Sequence, residues 1–223
     1  PGVLQRIAIC YFAASVILYY GSKRMALVFS LIALLAYWLI MYLFGDAAGP
    51  YSLAGNAVLK LDLALLGAGH LYHGEGIAFD PEGILSTLPA IVNVIAGFLA
   101  GDFIRRMGNS YETIAKLMMA GAVLLFVALT WHMTFPINKK LWTSSFVLLT
   151  VGIDLLILAL LVYVIEIISK RRWTYFFVVF GRNPLFIYLL SEVLIMTLYL
   201  ITVSDQNLQK AIYHALFTSW AGP

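Results

Sequence analysis

The stretch MALVFSLIALLAYWLIMYLF, Met25 to Phe44, runs for twenty residues without a charge. As a helix rising 1.5 Å per residue it covers about 30 Å, the thickness of a bilayer's hydrocarbon core. It closes on Tyr42 and Phe44, aromatics of the kind that sit at the headgroup level. Before it, the polar turn Gly21-Ser22-Lys23-Arg24 separates a first apolar run, Leu4 to Tyr20. After it the character changes between Gly45 and Gly83, where Asp46, Asp62, Glu75, Asp80 and Glu82 gather with several glycines and two histidines. The middle of that stretch, Asn56 to Leu66, is apolar but short, which predicts an interfacial or re-entrant helix.

Four further runs follow: Ile84 to Asp102, Ile114 to Met133, Ser144 to Ile168, and Pro184 to Val203, the last approached by a short helix over Trp173 to Phe180. From Asp205 to Trp220 the chain is too polar to cross a membrane. The expected fold is all-α: a polytopic integral membrane helical bundle of about six transmembrane helices, with an outer loop carrying the interfacial helix. Residues 1–223 read as a single transmembrane domain. Composition excludes the soluble alternative, because only 11% of residues are charged where a water-facing surface needs about 25%. The net charge of +3 does not point to nucleic acid, since the basic residues lie in short clusters between apolar runs. Cys10 is the one cysteine and sits in an apolar run, so no intramolecular disulfide exists.

Basic residues set the expected orientation. With the Lys23-Arg24 turn inside, Arg105, Arg106, Lys116, Lys170, Arg171, Arg172 and Arg182 follow it, nine basic residues against five outside (Arg6, Lys60, Lys139, Lys140, Lys210). The acidic loop is then outside. Lys139 and Lys140 run against the rule.

Polar groups at membrane depth are costly and need a purpose. Asp154, Glu192 and Asn93 all lie inside spans; each reads either as lining a substrate path or as an interhelical hydrogen bond. Gly97 and Gly101 read as a close helix-packing face. His70 and His73 stand three residues apart without a third ligand at matching spacing, so no metal site is expected. Neither Gly67-Ala68-Gly69 nor Gly74-Glu75-Gly76 has the strand and G-K-[ST] of a phosphate loop. On the outer side, Asp80-Pro81-Glu82-Gly83 places two carboxylates around a rigid proline, a pattern that also suits a helix N-terminus. Pro136-Ile137-Asn138-Lys139-Lys140-Leu141-Trp142 can grip an anionic or sugar ligand, or anchor at the interface. With Gln5 and Arg6 these segments sketch an outward-facing polar site.

Three ordered blocks carry a resemblance: Pro1-Gly2-Val3-Leu4-Gln5-Arg6-Ile7, Phe79-Asp80-Pro81-Glu82-Gly83-Ile84-Leu85, and Pro136 to Ser144. With His70-Leu71-Tyr72 and Gly181-Arg182-Asn183-Pro184, the chain resembles the heparan-alpha-glucosaminide N-acetyltransferase family, whose bacterial members are transmembrane acyltransferases. The resemblance implies acetyl transfer from acetyl-coenzyme A to an amino sugar, in a bacterial inner membrane, with donor and acceptor handled from opposite sides. It gives His70, Asp80 or Glu82 the role of base or sugar-orienting group. Asn138 and Lys139 would stabilise the oxyanion or position the acceptor, and Arg182 and Asn183 would hold coenzyme A phosphates. Gln5, Arg6, Trp142, Asp154 and Glu192 are the substrate-binding candidates; lipid and amino sugar are the expected partners, and a homodimer stays open. The family's His-x-x-Trp-x-Gly block does not occur here. The chain therefore reads as the middle of such an enzyme, lacking its first helices and last helix. An amino-sugar transporter is the alternative, with Asp154 and Glu192 on a proton-coupled route.

Overall fold

The computed structural model describes residues 2–46, 49–74, 76–203 and 206–218. Pro1, Glu75, Asp205 and Trp220 lie outside the described residues. The chain divides into two compact units, Pro1–Ser169 and Lys170–Pro223.

In the first unit, α1 (Val3–Tyr20) and α2 (Lys23–Phe44) are joined by a two-residue turn in which Ser22 caps α2, its Oγ accepting from Met25 N at 3.2 Å. The outer segment folds as the short helix α3 (Ala57–Leu66), the length expected of an interfacial element. Asn56 caps it by accepting from Leu59 N at 2.8 Å, while its Nδ2 donates to Ser52 O and Leu53 O. Gly67 ends it at φ 76°, a conformation glycine adopts without steric cost. Next come α4 (Thr87–Met107), α5 (Tyr111–His132) and α6 (Ser144–Val162), the last prolonged by a wider turn over Tyr163–Ile167.

One start differs from expectation: α4 begins at Thr87, three residues after Ile84. Residues 80–86 are held as turns because Ser86 Oγ and Thr87 Oγ1 donate to Gly83 O at 2.9 and 3.1 Å. Another expectation fails. Open space surrounds the Cα atoms of Gly97 and Gly101. The close helix approach is made instead by Gly121 of α5 and Gly152 of α6, where a Cβ on either would come within 3.0 Å of the other's carbonyl oxygen.

In the second unit, α7 (Thr174–Arg182) and α8 (Pro184–Leu200) meet at Asn183 with a bend of 91°. Pro184 starts α8, where its missing N–H costs no helix bond. Beyond α8, Thr202–Val203 pairs antiparallel with Gln206–Asn207, and α9 (Leu208–Tyr213) follows. The expected sixth span is thus a bent pair.

The chain is an all-α integral membrane protein. Five helices are long and apolar enough to cross a bilayer, or six with the bent pair counted as one. In the five, only 17% to 28% of the residues are buried by the protein. The remaining surface carries Leu27, Val28, Val123, Phe126 and similar side chains, and in a bilayer such a surface faces lipid. The core sits between α1, α2, α4 and α6 and continues beneath the outer loops, where Tyr37, Met41, Val58, Phe79, Phe135 and Leu141 pack together.

Candidate functional site

The site grows from the turn Asp80-Pro81-Glu82-Gly83. Asp80 Oδ1 accepts from Glu82 N at 2.9 Å, and Asp80 O accepts from Gly83 N at 3.1 Å, so the acidic residue closes the turn that carries it. Its carboxyl is close enough to the Glu82 side chain to act on its charge. Burial pushes the Glu82 carboxyl above its ordinary value, and the Asp80 charge adds to this, while Arg6 opposes it.

Arg6, on the first turns of α1, is 6% exposed. Its Nη1 donates to Pro81 O at 2.9 Å and its Nη2 to Ser86 O at 2.8 Å. These carbonyls belong to the turn that feeds α4, so one planar fork fixes α1 against α4. The guanidinium lies 4.3 Å from the centre of the Trp142 ring, in range for a cation–π contact. Trp142 Nε1 donates to Asn93 Oδ1 at 3.1 Å, and Asn93 Nδ2 reaches Thr150 Oγ1 at 3.3 Å. A single chain of contacts therefore runs from the carboxylate turn through Arg6 and Trp142 into α4 and α6. Trp142 has φ 51°, an uncommon conformation for a bulky residue that its surroundings enforce.

The loop that carries Trp142 is braced by its own polar side chains. Asn138 Oδ1 accepts from Lys140 N at 2.9 Å and Leu141 N at 3.3 Å; Thr143 Oγ1 donates to Pro136 O at 2.9 Å. Ser145 Oγ donates to Phe135 O and Ser144 Oγ to Leu34 O, both at 2.7 Å. Buried carbonyls thus find donors, which is what lets a loop lie under the bundle's end.

Two cavities flank the turn. One, of about 470 Å³, is lined by Gly2, His70, Tyr72, Asp80 and Pro81; the other, of about 480 Å³, by Arg6, Cys10, Asn93, Lys139 and Trp142. Val3 and Glu82 line both. Volumes of this order hold small-molecule ligands.

Of the residues singled out in sequence, His70, Asp80, Glu82, Arg6, Lys139 and Trp142 come together here. Gln5 lines neither cavity, its Oε1 accepting from Gly2 N at 2.8 Å at the start of α1. Asn138 has its side-chain oxygen engaged within its own turn. Asp154 is exposed on the outside of α6, and Glu192 is exposed on α8 in the second unit. Arg182 and Asn183 stand at the α7–α8 bend of that unit. Among the described residues no three metal-ligating side chains converge. Asp62 escaped notice as one acid among many in the outer loop. Its spacing from Val58 and Leu59 puts it on the apolar face of α3, the signal that marks it as buried.

The site thus defines a class: a polytopic membrane protein with a carboxylate turn clamped by a buried arginine between two cavities at one end of its bundle. Comparison gives the relatives. No family model matches the chain. It is similar to the heparan-alpha-glucosaminide N-acetyltransferase of Mus musculus, 28% identical over 199 residues, covering 66% of this chain and 30% of the mouse protein. The protein of the same name from Homo sapiens is 34% identical over 119 residues, covering 46% of this chain and 18% of the human one. The resemblance read from the ordered blocks therefore holds. This chain spans less than a third of the length of the curated relatives it matches.

Proposed function

We propose that this chain forms the acceptor side of a membrane acetyltransferase that moves the acetyl group of acetyl-coenzyme A onto the amine of an amino sugar. The carrying observation is that Glu82 lines both cavities, so one carboxylate can serve reactants held on either side of it. Amide formation requires the acceptor ammonium to lose a proton; its nitrogen then attacks the thioester carbonyl, the carbon–sulfur bond breaks, and a second proton passes from that nitrogen to the departing sulfur, so the coenzyme leaves as a thiol. Glu82 takes the ammonium proton, a task suited to a carboxyl raised towards neutrality. Asp80 orients the acceptor with His70 and Tyr72. Lys139, at the second cavity, meets the negative charge that develops on the carbonyl oxygen. Arg182, followed by the N-terminus of α8, has the chemistry of a coenzyme A phosphate site.

The proposed sidedness rests on charge. Arg6, Asp80 and Lys139 gather at one end of the first unit, and Lys23, Arg106 and Asp102 at the other. Lys23, Arg24, Arg105, Arg106 and Lys116 at the second end, against Arg6, Lys60, Lys139 and Lys140 at the first, support a cytoplasmic second end with the carboxylate site on the opposite face. A bacterial inner membrane is the proposed location, supported by the likeness of Gly181-Arg182-Asn183-Pro184 to the bacterial form of the family's block.

Isothermal titration of acetyl-coenzyme A into the full-length, detergent-purified protein, followed by mass-spectrometric assay of glucosamine acetylation, tests the reading. Saturable binding and an acetylated product are expected, with the product reduced about 100-fold or more in Lys139→Ala. Absence of binding at millimolar ligand in folded protein overturns it. Uptake of amino sugar without acetylation would favour the transporter.

A further inference from the structure

The carboxylate turn rests on a third acid that the mechanism leaves unused. Asp62 projects from α3 and is 1% exposed. Its Oδ1 accepts from Ile84 N at 3.1 Å, the first backbone amide after Gly83. Its Oδ2 is buried and has no hydrogen-bond partner among the described residues. That oxygen lies against Gly83, where a Cβ would overlap both it and Val58 Cγ1, so no side chain fits between the acid and the turn. An ionised carboxylate oxygen left dry and unpartnered is costly, whereas a neutral acid keeps the Oδ1 acceptor without that cost. Burial pushes the Asp62 carboxyl above its ordinary value, the Ile84 amide opposes this, and the Asp80 charge adds to it.

We propose, on the reading of Glu82 given above, that Asp62 is the positioning residue of the site. It holds the Asp80–Gly83 turn in register through Ile84 N, and ionisation, by drawing water to the unpartnered Oδ2 that lies against Gly83, parts the acid from the turn. The groups facing it support this. Asp80 on the turn and Tyr37 on α2 are within electrostatic reach, and neither supplies a cation. Lys60, on the same helix, is paired with Asp46 and Phe44 O. Arg6, which clamps the same turn, has both terminal nitrogens engaged by Pro81 O and Ser86 O. Release of the turn withdraws those carbonyls from Arg6 and disturbs the Arg6–Trp142 stack, so Trp142 fluorescence reports it.

The test uses the full-length protein and two variants. Asp62→Asn keeps the Oδ1 acceptor and cannot ionise; Asp62→Ala removes the acceptor. Glucosamine acetylation is measured against pH, together with the Trp142 fluorescence titration (taken as the difference from Trp142→Phe) and the infrared band of a protonated carboxyl. In the wild type, transfer declines on the alkaline side as the band disappears and the fluorescence shifts. In Asp62→Asn that alkaline decline and that fluorescence shift vanish, while Asp62→Ala transfers about 100-fold more slowly at every pH. An alkaline limb in Asp62→Asn identical to wild type overturns the proposal, as does wild-type transfer by Asp62→Ala. Should no form acetylate any acceptor, the function fails but the infrared and fluorescence titrations still decide Asp62. Coincident transitions abolished by Asp62→Asn uphold the positioning role, and transitions unaltered by it refute that role.

Discussion

The two ends of the first unit solve the same problem in opposite ways. At one end Arg6, Asp62 and Asp80 are buried, and the turn and loop carbonyls around them are bonded to side chains from several elements. At the other, Lys23 and Arg106 both pair with Asp102, and Lys116 pairs with Glu112, with the basic partners well exposed. Exposed pairs gain little because solvent already satisfies each charge. Buried ones carry a desolvation cost that only full hydrogen bonding offsets. The chain thus buries three ionisable groups at one end of the bundle and leaves the charges of the other end to solvent, so the cost of desolvation falls on the first end alone.

The largest effect that would sharpen this contrast is expected from Arg6→Ala. It removes two charge-assisted hydrogen bonds and the Trp142 stack, leaving Ser86 O without its side-chain donor and Pro81 O with only the long 3.5 Å bond from Ser86 Oγ. Loss of about 3 kcal/mol or more is expected in denaturant or thermal unfolding of the detergent-purified protein. Arg6→Lys should recover little, because one ammonium cannot bridge both carbonyls as the fork does. Unfolding unchanged from wild type would break the contrast.

Next in size is Glu82→Gln, aimed at chemistry rather than stability. Transfer should fall by about 100-fold or more while acetyl-coenzyme A binding persists. The sign of the pH effect is fixed by the raised carboxyl: transfer needs the unprotonated form, so the wild-type rate falls as pH drops through the raised Glu82 value. That acid limb sits above the pH expected of an ordinary glutamate, and it should be absent from the residual activity of the glutamine variant. A wild-type acid limb where an exposed glutamate titrates would remove Glu82 from the base role.

Smallest of all is Asp102→Asn at the opposite end. Both pairs weaken, yet unfolding and acetylation should stay close to wild type, measured at low and at physiological salt. A loss as large as that of Arg6→Ala would mean that the two ends do not differ in kind.

Much of the fold was legible in advance because bilayer crossing imposes one length and one composition on a helix. Met25–Phe44, the interfacial helix and the three spans after it could be placed by counting apolar residues. The start of α4 could not: Ile84 and Leu85 are as apolar as the helix they precede, and bonds from Ser86, Thr87, Arg6 and Asp62 hold them as a turn. Likewise the motif Gly97-x-x-x-Gly101 was visible and its packing role was not. Small residues permit close approach, but the partner helix decides where it happens, here at Gly121 and Gly152.

The site divides along the same line. The sequence by itself determined that this is a polytopic helical membrane protein, that Asp80, Glu82 and the Asn-Lys-Trp segment lie in connections between its spans, and that the ordered blocks resemble heparan-alpha-glucosaminide N-acetyltransferases. Those follow from local composition and order, which a linear text contains. Only the tertiary structure decided that Arg6 clamps Pro81 and Ser86 some eighty residues away, and that Trp142 stacks on it. It also decided that Glu82 stands between two cavities with Asp62 behind the turn, while Asp154 faces outward. The physical reason is that hydrogen-bond partnership belongs to neighbours brought together by packing; spacing along the chain marks at most which face of a helix turns inward, as at Asp62, and never what it meets there.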